Sequence, residues 1–491
     1  MRPCLRTAML NSEVTQLSVL SGLEPKKVFE FFEIISSIPR GSGHTEAVSR
    51  YCVDFAGARG LKCLCDALGD IIIFKDGSEG RENEEPVIIQ GHLDMVWEKA
   101  PGSDFDFLNE GIRLMTDGEY IFADGTTLGG DDGIAVAMGL ALLDDDGISH
   151  PPLEVVFTVD EETGMDGATA IDVTPLKGRR MINLDSESEN ILWVSCAGGE
   201  RADITLPVLS EENTLPSYRL LITGLHGGHS GAEIHRGYAN SSILLGEVLK
   251  NISKNHGIYI SSLSGGKMDN AITRESECVI CTSDDISDDI KAIEREIKSR
   301  FKAVDPGIEF ILSDTEAAKH FTGESTDKII SLLSSFPYGV IKMSEEIEGL
   351  VQTSLNLGIM KSDEKEASFG FSVRSSVNAE KEALTGRLRD ISLKQGADIH
   401  TYGEYPAWEY KKVSPLRDAI AGEYKALYGR EPEITAIHAG LECGLFSDKI
   451  KGLDCVSIGP DMKDIHTPDE KLSIASSGRV YNLLLRVLEV I

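Results

Sequence analysis

The sequence predicts an α/β fold: a principal domain with a mostly parallel central sheet flanked by helices, interrupted by an inserted α+β domain. Three observations carry this expectation. Short, almost continuously apolar runs at Asp70–Phe74, Pro86–Gln90, Leu153–Thr158 and Met181–Leu184 suit strands covered on both faces. Near residue 200 the texture changes to amphipathic strands and solvent-facing helices, the mark of sheet on one side and helices on the other. From about residue 404 the first style returns, with Cys455–Ile458 as another buried strand. The expected division is 10–199 and 404–491 for the principal domain and 200–403 for the insertion. A chain of 491 residues is too long for one ordinary core, which agrees with that division.

The elements follow in order. Val28, Phe31, Ile34 and Ile35 keep helical spacing, Pro39-Arg40-Gly41-Ser42-Gly43 signals a turn, and a second amphipathic helix runs from Glu46 to about Ala58. A covering helix follows Gly130 and stops at Asp144-Asp145-Asp146-Gly147. In the insertion, strands are expected at Tyr218–Thr223, Cys278–Ser283, Ile308–Ser313 and Ser368–Arg374. Ile290, Ile293, Ile297 and Phe301 give one helix an apolar stripe on a charged background.

Composition narrows the function. Apolar residues make up 41% and charged residues 26%, the balance of a folded chain rather than a disordered one. The formal charge is −32, and so acidic a surface repels phosphate backbones and anionic headgroups. Neither nucleic acid nor membrane is expected as a partner. The longest apolar run, Gly133 to Leu143, falls short of the roughly 20 residues a membrane span needs. The first residues hold two arginines but no apolar core, so no secretory leader is expected, and Met9 is an alternative start. Nine scattered cysteines read as reduced thiols of a cytoplasmic protein.

The chemistry is concentrated beyond strand ends. Val87–Gln90 runs into Gly91-His92-Leu93-Asp94, Val155–Thr158 into Asp160-Glu161-Glu162, and Met181–Leu184 into Asp185. Cys455–Ile458 precedes a loop carrying His466, and Asp131 lies in a Gly-rich turn that opens a helix. Open α/β sheets place their sites at the carboxyl ends of strands. Each residue alone has a bland reading: an Asp before a helix is commonly an N-cap, adjacent glutamates are commonly solvated, and a lone histidine is commonly a satisfied core residue. The joint pattern is not bland, because five such groups at buried strand ends are costly without a cation. Two histidines and three carboxylates match the ligand set of a hydrolytic metal pair.

Several blocks make the chain resemble the dinuclear-zinc metallopeptidase family of aminoacylases, carboxypeptidase G and carnosinases. They are Gly91-His92-Leu93-Asp94-Met95-Val96, Gly125 to Asp131, Asp160 to Gly167, Asn183 to Glu187 and His466-Thr467-Pro468-Asp469-Glu470. Gly224 to Gly231, Asn270 to Glu275 and His438 to Leu445 match as well. The resemblance extends from about residue 25 to the C-terminus and is closest to the branch that cleaves unblocked dipeptides, including Xaa-His compounds such as β-alanyl-histidine. It implies two Zn²⁺ per subunit, with Mn²⁺ or Co²⁺ able to share such sites. His92 and Asp185 would hold one ion, Glu162 and His466 the other, and Asp131 would bridge them. Asp94 would orient His92, and Glu161 would be the general base for a water bridging the ions. The insertion would act as lid and homodimer interface. It would bring His229 to the oxyanion and Asn270 and Arg374 to the substrate carboxylate, with His438 and Gly440 also at the substrate; Arg374 reads equally as a surface charge. Two departures stand out: Asp132 where relatives usually carry Asn, and Ile465-His466-Thr467-Pro468 for the commoner Pro-His-Ser-Pro.

Competing readings are weaker. Ala232 occupies the second glycine position of a G-x-S-x-G elbow around Ser230. Cys278-Val279-Ile280-Cys281 is a lone CxxC within a strand, without the second pair a zinc ribbon needs. Asp144-Asp145-Asp146-Gly147 lacks EF-hand spacing. Two alternatives to a dipeptidase stay open: an aminoacylase or carboxypeptidase of the same family, and a non-catalytic metal- or peptide-binding protein.

Overall fold

The computed structural model describes residues 19–491. The expectation about a leader falls outside them, as do residues 10–18 of the first expected domain. The chain forms two compact units. One contains residues up to 191 with 418–432 and 457–491, and the other contains 192–417 with 433–456. No helix among the described residues is long and apolar enough to cross a membrane.

The first unit is built on strands β1 (Lys62–Cys65), β2 (Ile71–Lys75), β3 (Val87–His92), β4 (Leu153–Thr158) and β5 (Arg180–Asn183). They lie side by side in the order β1–β2–β4–β3–β5. At the centre β3 runs parallel to both β4 and β5, while β1 and β2 add an antiparallel edge. Every residue of β3 and β4 is buried, as continuous apolar runs require when both faces are covered. Helices α1 (Lys26–Ser36), α2 (Glu46–Ala58) and α3 (Gly130–Asp144) belong to this unit. The side chains of α3 are buried from Ile134 to Leu143, since the helix is apolar all round. It ends where Asp144 is held by Lys27 and Arg59.

A small antiparallel sheet beside this core fixes the later site. Met462–Lys463 pairs with Lys471–Ser473, which pairs with Tyr120–Ala123, which pairs with Leu114–Thr116. The loop between the first two strands carries His466, and the third leads into the turn carrying Asp131.

The second unit holds a nine-stranded antiparallel sheet. Its strands are β6 (Gly198–Pro207), β7 (Ser217–Thr223), β8 (Tyr259–Gly265), β9 (Ser276–Cys281), β10 (Glu309–Thr315), β11 (Gly339–Met343), β12 (Val351–Ser362), β13 (Glu366–Ser375) and β14 (Asp398–Tyr405). The order is β10–β7–β9–β8–β12–β13–β6–β14, with β11 also on β12. Helices α4 (Ser241–Ile252), α5 (Ser287–Phe301), α6 (Gly323–Ser335) and α7 (Asn378–Lys394) complete it. Leu244, Leu245, Val248 and Leu249 of α4 join Leu220, Ile260, Ile280 and Leu357 in its core.

By compactness, residues 404–417 and 433–456 belong to this second unit, whereas the sequence texture groups them with the residues that follow. Main-chain pairing explains the difference: Cys196 N–H donates to Trp408 O at 3.1 Å, and Ala197 N–H lies within hydrogen-bonding reach of Ile437 O and Ala439 O.

Candidate metal centre

Five of the sequence-selected residues come together in the first unit, each delivered by a different local device. His92 is the last residue of β3 and is buried. Asp160, just past β4, adopts a left-handed φ of 56° and turns the chain at once into the short helix Glu161–Gly164. That reversal presents Glu161 and Glu162 at the sheet's end. Asp185 follows β5 by two residues. The chain carrying His466 is tied alongside by Ile458 N–H to Asn183 O at 3.0 Å and Met462 N–H to Glu187 O at 3.0 Å.

Asp131 reaches the site because the opening of α3 crosses the end of β3 closely. A Cβ on Gly91 would lie 2.6 Å from Asp132 Oδ2 and 2.7 Å from Ala135 Cβ, so glycine is required at that crossing. Asp132 Oδ2 there accepts the N–H of His92 at 3.2 Å. Gly129, with φ of 69°, makes the left-handed turn into the helix.

Asp131 lies between the two imidazoles. Its Oδ1 is 3.1 Å from His92 Nε2 and its Oδ2 is 3.2 Å from His466 Nε2. His92 Nε2 is also 3.8 Å from Asp185 Oδ1, and His466 Nε2 is 3.0 Å from Glu162 Oε2. Two three-residue groups, His92 with Asp132 and Asp185, and Asp131 with Glu162 and His466, each bring ligand atoms within 4.8 Å of one another. A third such group is His92 with Glu161 and Glu162.

Asp94 lies beneath the site, with Oδ1 3.3 Å from His92 Nδ1. It also accepts from Ser42 Oγ at 2.8 Å and from the N–H groups of Glu161 at 3.1 Å and Glu162 at 3.3 Å. One carboxylate thus orients an imidazole and caps the turn carrying two glutamates.

So many acids in one buried space perturb each other. Burial drives the Asp132 and Asp185 carboxyls well above the carboxylate range, and neighbouring aspartates add to it. Burial also raises Glu161 to about 7 against the opposing pull of His92, with Glu162, Asp131 and Asp94 pushing further upward. Burial works against protonation of His92, but hydrogen bonds to Asp131 and Asp94 overcome it and hold its pKa well above the imidazole range. His466 is raised to about 10 by its bonds to Asp131 and Glu162. Glu162 Oε1 and Asp132 Oδ1 are buried with no hydrogen-bond partner among the described residues. Orphan acceptors beside two imidazoles and clustered carboxylates fit a pair of divalent cations, which satisfy the acceptors and offset the charge.

The substrate candidates lie in the second unit. Ser354 and Arg374 are direct cross-strand partners on β12 and β13. Ser354 Oγ is 2.7 Å from His438 Nε2, and Arg374 Nη1 donates to the Tyr405 hydroxyl at 3.0 Å. Arg374 is therefore a partnered, half-buried group rather than a free surface charge. His229 Nδ1 accepts the N–H groups of Gly231 at 3.2 Å and Ala232 at 3.0 Å, which leaves its proton on Nε2. Asn270 is adjacent in chain to the Ala271–Ile272 pairing with Gly228–His229, and its carbonyl accepts from Ser230 N–H. Gly440 follows His438 by two residues.

Sequence reasoning gave no role to two buried groups of the first unit, Arg40 and Glu470, and marked Asp132 only as a departure from the family pattern. Arg40 Nη1 donates to Leu93 O and Asp94 O, both at 3.0 Å, and Nη2 donates to Gly129 O. Its only sequence signal was a turn motif, which says nothing about three main-chain acceptors distant in sequence.

Residues 88–490 match the description "Peptidase family M20/M25/M40". The chain is 35% identical to the cytosol non-specific dipeptidase of Escherichia coli over 484 residues, covering 97% of this chain and 99% of that protein. Among solved structures it is similar to the aminoacylhistidine dipeptidase of Vibrio alginolyticus, with a TM-score of 0.92, 34% identity, and coverage of 96% of this chain and 98% of that one. The aminopeptidase PepT of Bacillus cereus shares the fold at a TM-score of 0.55 and 14% identity, with 95% and 98% covered.

Proposed function

The chain belongs to peptidase family M20/M25/M40, and from that premise we propose that it hydrolyses unblocked dipeptides, including Xaa-His compounds such as β-alanyl-histidine. The observation that carries this reading is Asp131 presenting one carboxylate oxygen to each of two imidazoles. The dipeptidase names of the Escherichia coli and Vibrio alginolyticus relatives support the substrate class.

In this reading His92, Asp185, Glu162 and His466 would hold a pair of zinc ions, with Asp131 as the shared ligand; manganese and cobalt would suit the same donors. When bound, the ions supply Lewis acidity towards the attacking water and the scissile carbonyl. Glu161 takes the water's proton on its carboxylate and returns it to the leaving amine. A carboxyl raised to about 7 supports that two-way role. Asp94 keeps His92 in the tautomer that offers Nε2 and steadies the Glu161 backbone.

His229, Asn270, Arg374, His438 and Gly440 form the substrate-binding set in this reading. A guanidinium suits a free carboxylate, and a His229 proton fixed on Nε2 supports donation to the substrate's oxygen. Residues 200–403 would serve as lid and homodimer interface, which light scattering tests. A cytoplasmic location fits the name of the Escherichia coli relative and the free cysteines of the described chain.

A panel of free, N-acylated and C-amidated dipeptides tests the substrate class. Free dipeptides should be cleaved best, with either blocked form at least about tenfold poorer in kcat/KM. Preference for the acylated form would instead make the enzyme an aminoacylase.

A further inference from the structure

Glu470 closes the loop that carries His466, and its carboxylate is buried. Its Oε2 accepts the N–H groups of Leu128 at 2.7 Å and Gly129 at 2.9 Å, and its Oε1 accepts those of Gly130 at 2.8 Å and Asp131 at 3.3 Å. All four amides opening α3 are thus taken by one side chain, which lies nearly 340 residues away in sequence. Arg40 grips the opposite side of the same turn through Gly129 O and joins it to Leu93 O and Asp94 O. The His466 loop is itself closed by Glu470 N–H to Thr467 O at 3.1 Å and Thr467 Oγ1 to Asp464 O at 2.7 Å. Within it Asp464 and His466 hold left-handed φ angles of 51° and 62°, a conformation that surrounding contacts must maintain.

We propose that Glu470 is a positioning residue that locks the Asp131 turn to the His466 loop before any cation arrives. Without such a lock the clustered acids would repel one another, and each binding event would include ordering the turn. With it, the bridging carboxylate and one imidazole are set at a fixed spacing by a group that touches neither substrate nor ion. The proposal rests on the metal-pair reading above.

Two measurements test it. In the chelated wild-type chain, hydrogen exchange should show the amides of 128–131 protected to the same degree as in the metal-loaded chain. Fast exchange there, slowed only by metal, would overturn a preformed lock whatever the metal does. In Glu470→Gln, one carboxylate oxygen becomes an NH₂ facing two main-chain N–H groups. Competitive chelator titration with Zn²⁺ should then show one of the two ions bound about 10- to 100-fold more weakly, with kcat restored at saturating Zn²⁺. A folded variant that binds both ions as the wild type does would refute the proposal. Failure of the wild type to bind Zn²⁺ at all would instead defeat the metal-pair reading and leave the exchange result standing.

Discussion

Glu161 has what a proton carrier needs: a half-buried carboxyl raised to about 7, held through its main chain and with no ion-pair partner among the described residues. In Glu161→Gln the shape is kept and the proton site is lost. We expect kcat to fall roughly 100- to 10,000-fold with metal per chain unchanged, read by steady-state kinetics alongside metal analysis. A second residue reports on pH. Burial, with Arg374 adding to it, lowers His438 to about 3, so between there and the ordinary value of 6.5 the unfolded chain binds a proton the folded chain refuses. Its stability contribution is complete above pH 6.5 and drains away as pH falls. By pH 5 the loss is about 2 kcal/mol, and His438→Gln should remove that share of the acid sensitivity in urea unfolding at pH 7 and 5. The residues that the structure gathers around Asp131 were legible because each follows an apolar strand or opens a helix. Arg40 and Glu470 were not, because bonds to distant main-chain atoms leave no spacing to read.

Close crossings decide which elements can meet. Gly91→Ala would force the opening of α3 off the end of β3, costing about 1–3 kcal/mol and shifting Asp132 away from the His92 amide. We expect a lower melting temperature together with weaker Zn²⁺ binding, the second being what separates this site from an ordinary core position. Phe32 of α1 is fully buried, and Phe32→Ala should cost about 3–5 kcal/mol in denaturant unfolding while leaving the metal affinity of the folded fraction intact. Strands β2 to β5 of the first unit declared themselves, β4 to the residue, because buried apolar runs bounded by Gly, Pro and Asp have few other uses. Ile34 keeps the helical spacing of its neighbours yet is 40% exposed, because Val28, Phe29, Phe31, Phe32 and Ile35 already fill the buried arc of α1 and Ile34 falls outside it. The strands Tyr120–Ala123, Met462–Lys463 and Lys471–Ser473 escaped notice because two to four residues are too few to display a period.

For the molecule as a whole, a net charge of −32 and a buried acidic cluster lead us to expect that bound cations add to its stability. At a free metal concentration a thousandfold above Kd, linkage contributes about 4 kcal/mol. Chelation should therefore lower the unfolding midpoint measurably, and restoring Zn²⁺ should bring it back; no shift on chelation would contradict tight binding to the folded state. The pairing of Tyr120–Ala123 with Lys471–Ser473 also carries a consequence for synthesis. On the ribosome, the earlier strand waits with one edge bare until nearly the entire polypeptide has emerged. A nascent chain stalled at residue 460, without His466, should therefore bind Zn²⁺ more weakly than the full chain and attract holdase chaperones, and release of the final stretch should end both conditions together.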